Sequence, residues 1–162
     1  MKQIKCLVNQ EMKSKRFIIS KMEIEEVDLV LSIANTSSLN PWSRGMLLEE
    51  TLNPISHCFV MKGEEKSMGI PIIGFICFRN IGDESELLNI GVHPLYRKRG
   101  FGKKLMEFYI DFCSKREINK YYLEVSASNI QAIHLYHSFA FQPMGEKKRF
   151  YQGKFDALLM VR

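Results

Sequence analysis

The chain has 162 residues, 46% apolar and 25% charged, the size and composition of one ordinary folded domain, which excludes disordered and fibrous classes. Its formal net charge of +5 is unevenly spread: residues 1–86 carry 10 Lys and Arg against 12 Asp and Glu, a balance of −2, whereas residues 87–162 carry 13 against 6, a balance of +7. A positive excess confined to one half points to an anionic ligand held by one part of the fold. No apolar run reaches the roughly 18 residues of a membrane span. Lys13, Lys15 and Arg16 interrupt any secretory signal, so no membrane partner and a cytoplasmic location are expected. Cys6, Cys58, Cys77 and Cys113 have no paired spacing and mostly adjoin phenylalanines, which reads as reduced, buried thiols with no metal site.

In chain order, residues 1–15 read as a polar arm and residues 16–162 as one domain. A short strand is expected over residues 16–20. Ile24, Val27, Leu31 and Ala34 recur at helical spacing, giving a helix that ends near Thr36. Asn40-Pro41-Trp42-Ser43 reads as a turn, with Ser43 capping a short helix over residues 45–52. Strands follow at 55–62 and 71–80, joined through Gly63-Glu64-Glu65, and a further strand covers 86–92 after Gly82-Asp83. Phe101, Leu105, Phe108 and Phe112 mark a helix over 100–116, residues 121–125 a strand, and Ala132, Leu135, Tyr136 and Phe139 another helix. Two closing strands, 141–149 and 155–161, turn at Gln152-Gly153. Strand–helix–strand–helix in the middle requires a parallel pair and the flanking hairpins require antiparallel ones. The expected fold is a single-domain α/β (α+β) protein with a mixed central sheet of about seven strands and about four helices.

The most informative segment runs from Val92 to Lys104, between a strand and a helix. Five of the eight residues 97–104 are basic: Arg97, Lys98, Arg99, Lys103 and Lys104. Gly100 and Gly102 allow close backbone approach, and the helix start adds unsatisfied N–H donors, a combination suited to a pyrophosphate. Leu105 occupies the position of the third glycine of a dinucleotide fingerprint, and Arg97 and Lys104 break a nucleoside-triphosphate loop. The alternative is a solvated basic helix start.

Arg97-x-x-Gly100-x-Gly102 after a strand ending in Val-x-Pro resembles the acetyl-CoA loop of the GCN5-related N-acetyltransferase (GNAT) superfamily, and the element order is similar from about residue 16 onward. Asn40-Pro41-Trp42-Ser43, Glu86-Leu87-Leu88-Asn89-Ile90, residues 123–129 and Leu135-Tyr136 resemble its branch of bacterial ribosomal-protein-alanine N-acetyltransferases. The resemblance implies acetyl-CoA as cosubstrate without a metal. It implies a cofactor site of Ile90, Gly91, Val92, Arg97, Lys98, Arg99, Gly100, Phe101, Gly102, Lys103 and Asn129. Two departures stand out: Ala140 replaces a usual glycine after the last helix, leaving the turn there open, and Gly91 replaces a commoner alanine, a change expected to be tolerated.

Transfer of an acetyl group to an amine needs a base, an oxyanion donor and a proton for the departing thiolate. Glu124 shares a strand face with Tyr122, opposite Tyr121, Leu123 and Val125; a carboxylate within a short apolar strand is either a paired structural group or a functional one. The resemblance implies that it is the base. Tyr136 lies on an apolar helix stripe and reads as core, whereas the resemblance implies the general acid. Asn129 reads as a helix N-cap or a coenzyme A contact. The oxyanion is expected at a backbone N–H near Val92. Trp42 reads as core or substrate wall, and the resemblance implies that Tyr151 clamps a peptide N-terminus. Glu86 is a weaker candidate base, and Lys147-Lys148-Arg149 reads as a solvated face. An α-amine with pKa near ~8 is far less protonated at neutral pH than a lysine near ~10.4, which favours a protein N-terminus as acceptor; the resemblance points to a ribosomal protein. Direct nucleic-acid binding is not expected, since the basic loop lacks interleaved aromatics. A monomer or weak dimer is expected.

Overall fold

The computed structural model describes residues 17–36, 41–63 and 71–162; the expected arm, Cys6, Asn40 and the Glu64-Glu65 turn lie outside them. Seven strands, β1 (Phe17–Lys21), β2 (Ser56–Gly63), β3 (Gly74–Ile81), β4 (Glu84–Val92), β5 (Lys120–Ser126), β6 (Gln142–Tyr151) and β7 (Phe155–Val161), form one sheet. Its spatial order is β1-β2-β3-β4-β5-β7-β6. Only β4 and β5 run parallel, as a strand–helix–strand connection between neighbours requires. Among the described residues, four α-helices accompany the sheet: α1 (Val27–Ala34), α2 (Arg44–Leu52), α3 (Phe101–Ser114) and α4 (Ile130–Ser138). This is the mixed-sheet single domain that the sequence pattern implies.

Alternation along the strands divides the core into two layers. Phe78, Leu87, Leu123, Val125 and Met160 are buried in one cluster with Leu105, Met106 and Tyr109 of α3 and with Tyr136 of α4. Cys58, Val60, Phe75 and Cys77 are buried on the opposite face with Val27, Val30 and Ile33 of α1 and Leu47 of α2. Ser43 caps α2 as expected, its hydroxyl accepting the Met46 N–H at 3.1 Å. Cys58, Cys77 and Cys113 are free and buried, and His57 and Cys58 face opposite layers. His57 packs between the rings of Phe78 and Phe112, with centroids at 5.3 and 5.0 Å. No helix among the described residues is long and apolar enough to cross a membrane.

Two local irregularities interrupt the ladders on either side of β4. Cys77 pairs with Asn89, yet the next residue, Phe78, pairs with Leu87. Leu88 is therefore an extra residue in β4, and a bulge of this kind bends its strand and raises the local twist. Beyond it, β4 and β5 part. Their pairing runs from Glu84 with Lys120 to Leu87 with Leu123 and stops, although β4 continues to Val92 and β5 to Ser126.

Candidate active site

The parted strands leave backbone groups of β4 facing a gap. The His93 N–H bonds to the Ile73 carbonyl of the β3 side at 2.8 Å. Successive strand residues direct their N–H groups to opposite sides. Ile90 and Val92 therefore present backbone N–H and C=O groups to the gap, and Gly91 turns its own toward Phe75, its partner on β3. Of the three residues expected to form the cofactor strand, Ile90 and Val92 face the gap and Gly91 is a spacer between them. The spacer must be small: a Cβ on Gly91 would lie 2.5 Å from Phe75 Cε1 and 3.3 Å from Ile33 Cγ2. The glycine that the sequence suggested was merely tolerated is the complement of a large ring beneath it.

At the mouth of the gap the chain turns through a 3-10 segment (Pro94–Tyr96) into α3. Gly100 is the N-cap at φ 83° and provides no side-chain cap, in contrast to Ser43 at α2 and Asn129 at α4, whose side chain accepts the Ala132 N–H at 3.2 Å. The first bonded amide of α3 is Lys104, to the Gly100 carbonyl at 3.1 Å. Helix geometry thus leaves the N–H groups of Phe101, Gly102 and Lys103 for an external acceptor. Lys98 also takes a positive φ of 59°. Lys98, Arg99, Gly100 and Lys103 are exposed, while the Phe101 ring is held by Tyr96 and Phe17 with centroids at 6.0 and 6.2 Å. Such a set, cationic side chains around uncapped helix amides, fits an extended pyrophosphate ligand.

Arg97 behaves differently from its neighbours. Its Nε donates to the Val92 carbonyl at 3.0 Å and its Nη2 to Thr36 Oγ1 at 2.5 Å. The guanidinium thus ties the end of β4 to the last turn of α1. Next to Thr36, the Asn35 side-chain amide pairs with both backbone polar groups of Trp42, each bond being 3.0 Å. Trp42 is half-buried against the α1–α2 layer.

On the other side of the gap, Glu124 is the first β5 residue beyond the pairing with β4. It lies on the face opposite Leu123 and Val125, as the alternation requires, and its side chain is 27% exposed. It forms an ion pair with Lys147 of β6. The order β5-β7-β6 leaves β7 between them, so the two long side chains reach across one strand. Tyr151 closes β6 rather than lying in the turn after it. Its phenol is half-buried; burial, and secondarily the Glu124 charge, raises its pKa above the ordinary value. Tyr136 is buried in α4, and burial followed by the influence of Tyr151 raises its pKa further. Glu124, Tyr151 and Tyr136 thus lie within electrostatic reach in series, and both phenols stay protonated at neutral pH.

The remaining candidates lie apart. Glu86 pairs with Tyr122 in the joined part of β4 and β5 and lines a depression of about 340 Å³ with Arg79, Ser85 and Ile81. His137 is engaged by its Nδ1 with the Phe141 carbonyl at 2.9 Å. No group of three or more His, Cys, Asp or Glu suited to a metal ion occurs among the described residues. Sequence reasoning missed Lys147, read as part of a solvated face, and the Asn35–Thr36 link; both depend on which elements lie side by side.

A mixed sheet that opens between two parallel strands, beside an uncapped basic helix start, matches the class of acyl-CoA-dependent acyltransferases that the resemblance implies. The chain belongs to the acetyltransferase (GNAT) family, whose model matches residues 27–141, and it is an acetyl-CoA-dependent N-acetyltransferase. It is similar to the [ribosomal protein bS18]-alanine N-acetyltransferase of Haemophilus ducreyi, 31% identical over 127 residues that span 78% of this chain and 83% of that one. A Bacillus subtilis protein provisionally named for the same activity is 30% identical over 145 residues, spanning 88% and 92%. The crystal structure of the Escherichia coli ribosomal-protein-S18-alanine N-acetyltransferase superposes with a TM-score of 0.80 at 28% identity, covering 90% of this chain and 92% of that chain.

Proposed function

We propose that this enzyme acetylates the α-amine of a protein N-terminus, with the N-terminal alanine of a small-subunit ribosomal protein in the cytoplasm as its acceptor. The observation that carries this reading is the position of Glu124, the first β5 residue beyond the pairing with β4 and in series with two protonated phenols. Acetyl-CoA, when bound, supplies an activated acetyl thioester. The Val92 N–H is the donor for the developing oxyanion, and the free amides of Phe101, Gly102 and Lys103 with the Lys98, Arg99 and Lys103 cations hold the phosphates. Glu124 takes the proton of the acceptor amine, directly or through one water, and Tyr136 returns a proton to the thiolate. Asn129, although committed through its oxygen to the helix cap, keeps its amide NH₂ for the cofactor. Tyr151 and Trp42 line the acceptor side. The relatives named for bS18-alanine acetylation support the acceptor class.

The test offers acetyl-CoA with a peptide beginning in the bS18 N-terminal alanine, the same peptide blocked at its α-amine but containing lysine, and spermidine. Acetylation of the free N-terminal peptide in strong preference to the other two is expected. Preference for lysine or spermidine defeats the acceptor assignment. In the same assay Glu124→Gln is expected to lower kcat by ~100-fold or more with coenzyme A affinity within about twofold; unchanged turnover removes Glu124 from the reaction.

A further inference from the structure

We propose that Lys147 is itself an acceptor and that the enzyme acetylates its own Lys147 within one chain. The inference rests on the assignment of Glu124 as base. The Lys147 ammonium is bonded to the Glu124 carboxylate, so its nitrogen already contacts the group that this assignment makes the base. The neighbouring Lys148 is engaged elsewhere, bonding Glu146 at 2.7 Å and Asp156 at 3.0 Å. Lys147 is also held from a second direction, its Nζ lying 4.9 Å from the centroid of the Phe150 ring. Its side chain remains 44% exposed, so the nitrogen is not sealed into the pair.

A free lysine is a poor acceptor at neutral pH because so little of it is unprotonated. A lysine already on the base overcomes that disadvantage by proximity, since a held nucleophile reacts at an effective concentration far above any in solution. The Lys147 ammonium gives one proton to Glu124, and its lone pair forms the N–C bond to the acetyl carbon. The C–S bond breaks with its electron pair on sulfur, the thiolate gains a proton from Tyr136, and the second proton lost by the nitrogen restores that phenol. The products are Nε-acetyl-Lys147, coenzyme A and one proton, which leaves Glu124 for water. Acetylation removes the lysine charge, and Glu124 is freed for an external amine.

The experiment incubates the full chain with acetyl-labelled acetyl-CoA, without acceptor peptide, and maps the label by tandem mass spectrometry. The label is expected on Lys147 at a first-order rate independent of protein concentration, ahead of the exposed Lys98, Lys103, Lys115 and Lys154. In Glu124→Gln it is expected to fall by ~10-fold or more, with coenzyme A titration confirming a folded protein. In Lys147→Arg the site is lost while no other lysine gains label. Equal labelling of the exposed lysines, or undiminished Lys147 labelling in Glu124→Gln, marks uncatalysed chemistry and overturns the proposal. So does an unlabelled Lys147 in a preparation that turns over the alanine peptide. Failure on the peptide with Lys147 labelled defeats the external acceptor assignment instead.

Discussion

At the scale of single residues, strand β4 shows how a side chain's absence can be structural. Gly91 faces the Phe75 ring across the β3–β4 ladder, with Ile33 of α1 closing the other side. A methyl group there needs space that Phe75 Cε1 occupies at 2.5 Å, and well-packed interiors accommodate such an addition only by moving side chains or backbone. Gly91→Ala is expected to lose about 1–3 kcal/mol of folding stability in chemical denaturation. Phe75→Leu on the alanine background should recover part of it, because the smaller side chain vacates the ring edge. A stable Gly91→Ala protein, or one that Phe75→Leu weakens further, is incompatible with this packing. The residue was visible in the sequence as a departure from an alanine; its reason was not, because Phe75 is sixteen positions away and becomes a neighbour only through strand pairing.

At the scale of elements, the turn after α4 carries a comparable departure with the opposite consequence. Ala140 sits at φ 64°, a left-handed conformation in which a Cβ crowds the backbone and glycine does not. The turn is still made: Ala140 donates its N–H to the His137 carbonyl at 3.0 Å, and Phe141 donates to Tyr136 at 3.1 Å before burying its ring beside Tyr136. The geometry therefore survives the substitution and retains its strain. Ala140→Gly is expected to raise folding stability by about 0.5–1 kcal/mol, even though glycine enlarges the entropy of the unfolded chain. Thermal unfolding measures the shift, and a fall in Tm would contradict a strained turn. Element positions were the legible part of this molecule. Helical periodicity located α1, α3 and α4, Ser43 marked the start of α2, and alternation placed Glu124 on the correct face of β5. The gap was not legible, since it depends on one unpaired residue, Leu88, whose status exists only relative to β3. Nor was the insertion of β7 between β5 and β6, which brings Lys147 to Glu124.

At the scale of the whole molecule, the charge asymmetry becomes a physical junction. The basic second half meets the acidic first half through Arg97, whose guanidinium holds the Val92 carbonyl on one side and the Thr36 hydroxyl on the other. Thr36 in turn donates to the Ile33 carbonyl at 2.7 Å, and the adjacent Asn35 holds Trp42 at the entry to α2. The basic loop and Trp42 are thus joined by the Arg97–Thr36 and Asn35–Trp42 hydrogen bonds through two adjacent residues of the chain, and if the loop holds coenzyme A as proposed, its ordering should be felt at Trp42. Trp42 is the single tryptophan of the chain, so its fluorescence reports this position directly. Titration with coenzyme A is expected to give a saturable change in the wild-type protein. Thr36→Val removes the acceptor for the Arg97 donor but keeps the shape of the side chain, and it should at least halve the amplitude with calorimetric affinity for coenzyme A within about twofold, the loss of one exposed charge-assisted hydrogen bond being modest. Thr36→Ser restores the hydroxyl and should restore the signal. A full response in Thr36→Val breaks the link between the loop and Trp42. A large loss of coenzyme A affinity in the same variant makes the Arg97–Thr36 contact part of the phosphate site rather than a connection beyond it.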